Sequence, residues 1–362
     1  MATLAVLTSG GDSPGMNAAL RAMVKVAASR GVRVLGVQDG YDGLIDGVTR
    51  DLTVSAPHAP GGLAACRDVD VLGNEGGTLL GSARCARFRE TEHRAVAADR
   101  LRALDGLVVI GGNGSLTGAH LLASECATPI VGIPASIDND IGCTATALGV
   151  DTALNTILEC CDRIGDTARS HRRAFVVEVM GRHSGYLAMA SAVAAGADGV
   201  LLREQGRTED QLVDAVAEMI RRSFALDRDR RRVLIVKAEG VEVPCTRLVR
   251  RVEEKLAGGM NVEIRATVLG HLVRGGRPTY QDRMIAGRLG LAAVDAALAG
   301  LTDRMMAWMP PVAGGTPTSD PAVFHFGLDA VLRETDALLD GTSPVTKWRL
   351  KTLESLESAL GL

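Results

Sequence analysis

Hydrophobic residues run in short blocks along the chain, each closed by glycine or an acidic turn and followed by a segment with helical spacing. The block 5–7 leads into Ser9-Gly10-Gly11-Asp12; Pro14 then falls where a first helical turn accepts proline, and Leu20, Met23, Val24 and Ala27 share one face. The block 107–110 leads into Gly111-Gly112-Asn113-Gly114-Ser115 and a helix through Leu122. Three more blocks follow: 130–133 before Pro134-Ala135-Ser136-Ile137-Asp138-Asn139-Asp140, 175–179 before Met180-Gly181-Arg182-His183-Ser184-Gly185, and 233–236 before Lys237-Ala238-Glu239-Gly240. Unbroken apolar strands alternating with helices predict an α/β fold whose parallel sheets are covered on both faces. Ligands in such sheets bind beyond the carboxyl ends of the strands, where these loops fall.

Composition narrows the class without naming a chemistry. With 362 residues, and about 150 per domain as a guide, the chain is expected to form two domains with real cores. Its 40 Lys plus Arg stand against 43 Asp plus Glu, a net charge of −3. That balance argues against nucleic acid or an anionic membrane as partner, so an anionic ligand must be met by locally placed cations. Residues 1–15 lack the basic start and long apolar core of a secretory signal, and the apolar stretch 186–202 is interrupted by Gly196 and Asp198. Neither a leader nor a membrane span is expected. The cysteines at 66, 85, 126, 143, 160, 161 and 245 form no C-x-x-C pair and no zinc-spaced cluster, as expected of free thiols in a reducing cytoplasm.

The loops carry the candidate chemistry. Two glycine-paired turns each open a helix whose free N–H groups suit a phosphate, although neither fits the Walker A pattern. In 136–140 two carboxylates stand two residues apart; one could accept a hydroxyl proton and the other bind a hard cation, or the segment could be a helix N-cap with an Asx turn. Arg182 follows a strand end and Arg84 follows a glycine-rich loop, which suits cations placed around a transferring phosphoryl group. Arg265, His271 and Arg274, around one strand and its turn, could hold a sugar phosphate.

Taken in order, GGDSPGMNAA (10–19), GGTLLGSAR (76–84), GGNGS (111–115), PASIDNDI (134–141), VVEVMGRHSGYLA (176–188), AEG (238–240) and RATVLGHLVRGG (265–276) resemble the bacterial 6-phosphofructokinase family. The resemblance implies two interleaved Rossmann-like α/β domains with mostly parallel sheets. Residues 1–150 with about 273–325 would form the phosphoryl-donor (ATP) domain, and 151–272 with about 326–362 the sugar-phosphate domain. It implies Mg2+-dependent transfer of the γ-phosphate of ATP to the 1-hydroxyl of fructose 6-phosphate by a cytoplasmic, glycolytic, allosteric homotetramer. Asp138 matches the family's base, Arg84 and Arg182 its phosphoryl-stabilising cations, and Gly11, Gly112, Asn113, Gly114 and Ser115 its donor side. Ser136, Asp140, Arg173, Met180, Gly181, Glu239, Arg265, His271 and Arg274 match acceptor positions, with Arg173 and Arg265 expected to serve a neighbouring subunit.

Departures from the family's pattern bear on the donor and the metal. Asn113 stands where an acidic residue usually helps hold magnesium, which leaves Asp140 as the principal carboxylate and lowers the expected attraction for the metal. Ala135 replaces the glycine of ATP users and the lysine of pyrophosphate users, and Gly114 leaves room for a nucleotide's α-phosphate, so ATP is favoured. Pyrophosphate, another sugar-phosphate acceptor, or a weakly catalytic regulatory paralogue are the alternatives. Arg21, Lys25 and the run Arg228, Arg230, Arg231, Arg232 resemble an effector-binding region or a solvated basic stretch, and Gly165 replaces a further arginine there.

Overall fold

The computed structural model describes residues 1–224, 232–260 and 262–360, the side chains of 356–360 excepted; Arg228, Arg230 and Arg231 lie outside the described residues. In chain order its first strands and helices are β1 (Thr3–Ser9), α1 (Met16–Ser29), β2 (Arg33–Val37), α2 (Gly40–Asp46), β3 (Thr49–Asp51), β4 (Thr53–Ser55), β5 (Leu63–Ala65), α3 (Arg67–Leu72) and α4 (Thr91–Leu101). Next come β6 (Gly106–Gly111), α5 (Asn113–Glu125), β7 (Ile130–Pro134), α6 (Val150–His171), β8 (Ala174–Val179), α7 (Tyr186–Ala194) and β9 (Gly199–Leu201). The remainder is α8 (Glu209–Ser223), β10 (Val233–Ala238), α9 (Cys245–Leu256), β11 (Ile264–Val268), α10 (Tyr280–Leu298), β12 (Arg304–Trp308), β13 (Thr316–Pro317), β14 (Val323–Gly327), α11 (Leu328–Asp340) and α12 (Pro344–Leu360).

Contacts divide the chain into two units, Met1–Thr152 with Arg274–Leu338, and Ala153–Val273 with Leu339–Leu362. The first holds an eight-stranded sheet ordered β13-β14-β12-β7-β6-β1-β2-β3. Its inner strands β2, β1, β6, β7 and β12 run parallel, and antiparallel partners close both edges. Leu4, Val6, Val108, Ile110, Val131 and Ile133 are buried with Met16, Leu20 and Met23 of α1 and Ile285 and Leu289 of α10. Each such side chain contributes about 1.5–3 kcal/mol by leaving water. Helices α1 and α10 cross closely because Gly290 has no Cβ; one there would lie 3.1 Å from the Ala19 carbonyl.

The return segment of this unit reaches Leu338, beyond the 325 expected from the sequence, because β14 pairs with β12 and leads directly into α11, whose Thr335 hydroxyl accepts from the Gly142 N–H (2.8 Å). Pro14 also differs from expectation. It precedes the helix rather than entering its first turn, since Gly15 turns left-handed (φ 97°) and α1 starts at Met16.

The second unit is built on a four-stranded, wholly parallel sheet ordered β11-β8-β10-β9. Val176, Val177, Leu234, Ile235 and Val236 are fully buried at its centre. The apolar stretch from Tyr186 folds as α7 and β9, and among the described residues no helix is long and apolar enough to cross a membrane. All seven cysteines are free.

Candidate active site

Three neighbouring parallel strands of the first unit end in the predicted phosphate and carboxylate loops. Ser9 of β1 is in register with Gly111 of β6, and Gly111 with Pro134 of β7, so the three turns emerge side by side. Gly10 (φ 88°) makes the first turn. Cβ atoms at Gly10 and Gly111 would lie 3.1 Å and 2.6 Å from Ser115 Oγ, so this buried serine packs beneath both turns. Gly112 caps α5 without a side chain, and Gly114 is exposed with open space where a Cβ would be. The N–H groups of the first turn of α5 are therefore approachable by an anion.

The loop carrying Arg84 is fastened over the first turn. Thr8 Oγ1 donates to the Gly81 carbonyl (2.7 Å), Ser82 Oγ to that of Gly10 (2.7 Å), and the Gly10 N–H to that of Ala83 (3.3 Å). Asn17 of α1 holds its start, donating to the Glu75 and Gly76 carbonyls (3.2 and 3.3 Å) and accepting from the Leu79 N–H (2.7 Å). Arg84 itself is exposed and enters no ion pair among the described residues. Arg274 belongs to this unit as well: Nη1 donates to the Asp12 carbonyl (3.0 Å), and a Cβ at Gly11 would stand 3.0 Å from the same nitrogen.

No helix follows Asp140, which removes the N-cap reading of 136–140; α6 begins only at Val150. The loop is closed instead by Asn139 (φ 47°), whose amide donates to the Ala145 carbonyl (3.1 Å) and accepts from the Ala147 N–H (3.1 Å). Asp140 is buried, with Oδ1 accepting from Ser136 Oγ (3.1 Å) and Oδ2 from Asn113 Nδ2 (3.0 Å). Asn113 Oδ1 is buried and has no hydrogen-bond partner among the described residues. Asp138 is half-buried, its N–H donating to Ser136 Oγ (3.3 Å).

Sequence reasoning missed Tyr41. It is buried, stacks on Phe88 (centroids 3.9 Å apart), and donates from its hydroxyl to the Ser115 carbonyl (2.6 Å). Burial pushes its phenol well above the usual tyrosine range, so it stays a neutral donor under the first turn of α5. Only its place after the Asp39-Gly40 turn could have flagged it.

In the second unit, Met180, Gly181 and Arg182 follow β8, Glu239 follows β10, and His271 lies beyond β11, all past the carboxyl ends of their strands. Gly181 (φ 127°) is required by its turn, because a Cβ there would also meet the Ser184 carbonyl at 2.4 Å. Arg182 is exposed and stands 3.6 Å from Glu239; His271 is exposed. Arg173 and Arg265 lie at the other end of the sheet. Arg173 precedes β8, Arg265 is the second residue of β11, and both pair with Glu263. The six residues of β8 separate Arg173 from Met180, roughly 20 Å at the rise of a strand. One chain thus does not gather Arg173 and Arg265 with Met180–Arg182, whereas His271 and Arg274 lie on one short 3-10 turn, Gly270–Arg274. Of the effector candidates, Lys25 pairs with Asp70 (2.6 Å), Arg21 lies against Gly73, and Arg232 Nη1 occupies the space where a Cβ at Gly165 would be, at 2.5 Å.

Glycine turns beside a carboxylate loop at the ends of parallel strands, in a chain of two such α/β units, define a phosphotransferase. The family described as Phosphofructokinase matches residues 3–297. The chain is 45% identical over 309 residues to a protein of Thermotoga petrophila named ATP-dependent 6-phosphofructokinase, covering 85% of this chain and 90% of that one. It is 41% identical to the ATP-dependent 6-phosphofructokinase 2 of Bacteroides thetaiotaomicron, over 82% of this chain and 85% of that one. Among solved structures, the phosphofructokinase of Saccharomyces cerevisiae superposes with a TM-score of 0.81 at 32% identity over 98% of this chain; the chain spans 48% of that longer polypeptide. A pyrophosphate-dependent phosphofructokinase from Marinobacter aquaeolei shares the fold, with a TM-score of 0.74 at 20% identity over 91% of this chain and 84% of that one. The chain belongs to the phosphofructokinase family.

Proposed function

We propose that this chain transfers the γ-phosphate of ATP to the 1-hydroxyl of fructose 6-phosphate, giving fructose 1,6-bisphosphate and ADP. The observation that carries the reading is the alignment of the Gly10-Gly11, Gly112–Ser115 and Ser136–Asp140 loops at the ends of β1, β6 and β7, together with relatives at 40–45% identity named for this activity. Backbone amides of Gly11, Gly112 and Gly114, with Ser115 and the exposed Arg84 guanidinium, bind the polyphosphate. Asp138 takes the proton of the sugar's 1-hydroxyl while its oxygen forms the new bond to phosphorus and the bond to ADP breaks. Arg182 stabilises charge on the moving group, and Met180, Gly181, Glu239, His271 and Arg274 hold the acceptor.

The first unit is thus the donor domain and the second the acceptor domain. Open space at Gly114 and a buried alanine at 135, which offers no ammonium to a pyrophosphate, support ATP over pyrophosphate. Magnesium fits the residues present. The buried Asp140 carboxylate and the unsatisfied Asn113 Oδ1 are hard oxygen donors, and this ion is commonly held by one or two protein oxygens plus substrate phosphates. Bound there, it would neutralise developing charge on the phosphates. The remote placement of Arg173 and Arg265 supports an oligomer, a homotetramer by the family's pattern, in which they serve an adjacent subunit's acceptor site. Free thiols and the balanced charge support a cytoplasmic setting.

A coupled assay with ATP and pyrophosphate in parallel, across fructose 6-phosphate and other sugar phosphates, tests the reading. Turnover with MgATP and fructose 6-phosphate is expected. Turnover with pyrophosphate alone would refute the donor assignment, and tight sugar-phosphate binding without transfer would leave a regulatory paralogue.

A further inference from the structure

Lys237 is the fifth of six residues in β10, a strand otherwise apolar and wholly buried, and it is itself 1% exposed. Its register partner on β8 is Glu178. Nζ donates to Glu178 Oε2 (2.9 Å), to the Val241 carbonyl (3.0 Å) and to the Ala238 carbonyl (3.3 Å), which uses all three ammonium protons. Buried ion pairs of this kind are weak sources of stability, since a well-packed apolar pair of similar volume often does as well or better. What the pair does instead is join segments. The ammonium ties the loop after β10, which carries Glu239, to the end of β8, which leads into Met180–Arg182.

Backbone contacts continue the same clamp. The Glu239 N–H donates to the Val179 carbonyl (2.8 Å), the Gly240 N–H to that of Gly181 (3.1 Å), and the Leu269 N–H to that of Glu178 (2.9 Å). A Cβ at Gly240 would lie 2.4 Å from the Arg182 carbonyl, so the two loops are in contact with no slack. We propose that Lys237 and Glu178 form a positioning pair that fixes the Met180–Arg182 turn, Glu239 and the turn leading to His271 in the geometry that binds the sugar phosphate. The inference rests on the acceptor role given above to those residues. The sequence pattern marks Lys237 only as a basic residue at the end of an apolar run.

The test compares wild type, Lys237→Met and Lys237→Met/Glu178→Gln. The single variant leaves a partly buried carboxylate (17% exposed) without its cation and is expected to be less stable. The double variant removes both charges and is expected to melt close to wild type while its KM for fructose 6-phosphate rises tenfold or more. Its KM for ATP should stay within twofold, because the donor residues belong to the other unit. A folded double variant with both KM values within twofold of wild type would overturn the proposal. So would equal losses toward both substrates, or a double variant that does not fold, since each would make the pair a general structural element. Calorimetric binding of fructose 6-phosphate without nucleotide separates the two readings: wild type that fails to bind refutes the acceptor assignment itself, whereas wild-type binding with undiminished binding by the double variant refutes only the positioning role.

Discussion

Replacing Asn113 by aspartate converts a donor facing a buried carboxylate into a second carboxylate. In the structure Nδ2 stands 3.0 Å from Asp140 Oδ2. The substitution removes a hydrogen bond to a charged group, worth about 1.5–3 kcal/mol. It also sets two negative charges about 3–4 Å apart, a repulsion on the order of 4–5 kcal/mol at an effective dielectric constant near 20. Rearrangement and proton sharing relieve much of that, and a net loss of about 3 kcal/mol corresponds to a drop in Tm of roughly 4 °C for a chain of this length. The penalty should shrink as pH falls, because one proton between the two carboxylates abolishes the repulsion. A divalent cation does the same, so Asn113→Asp should be stabilised by millimolar magnesium far more than wild type. Thermal melts in chelator and in magnesium read both effects. A variant that melts with wild type in chelator and shows the same magnesium shift would refute the contact between the amide and Asp140, and with it the account of why this chain tolerates an uncharged residue there.

Three further outcomes follow from other contacts. Arg288 holds the Asp320 carboxyl below its usual range by a direct hydrogen bond and also lies over Trp308, 4.6 Å from the ring centroid. A lowered folded value contributes stability above the unfolded value of about 4. The Tm deficit of Arg288→Met should therefore be full at neutral pH and narrow as pH falls through the folded value of Asp320; a deficit constant down to strong acid would contradict the pairing. Gly181→Ala combines a left-handed φ of 127° with a Cβ 2.4 Å from the Ser184 carbonyl, strain of about 1–3 kcal/mol, and should raise KM for fructose 6-phosphate with ATP affinity unchanged. Equal loss toward both substrates would reject that specificity. Co-expressed Arg265→Ala and Asp138→Asn chains, each inactive alone, should regain activity in mixed oligomers if Arg265 serves a neighbour, and should not if each chain completes its own site.

Much of the fold was legible because parallel strands buried on both faces leave unbroken apolar runs, as in β1, β6, β7, β8 and β10. The glycine turns were legible because their local geometry needs glycine, as the φ values of Gly10 and Gly181 bear out. What periodicity could not convey was long-range pairing. Nothing near Asn113 announces Asp140 as its partner, and nothing near Arg274 announces the Asp12 carbonyl. Tyr41 and Lys237 were passed over for the same reason, since a buried polar side chain is recognised by acceptors that come from other parts of the chain. The first unit runs past residue 325 because α11 follows β14 directly, in a stretch that carries none of the sequence motifs.

The proposed transfer turns on one carboxylate, Asp138, taking the proton of the attacking hydroxyl. Steady-state turnover of Asp138→Asn with saturating MgATP and fructose 6-phosphate reads that role. With Asp138 as the base, kcat falls by about 10²-fold or more while both KM values stay nearly unchanged; a variant that turns over within threefold of wild type would remove Asp138 from that role.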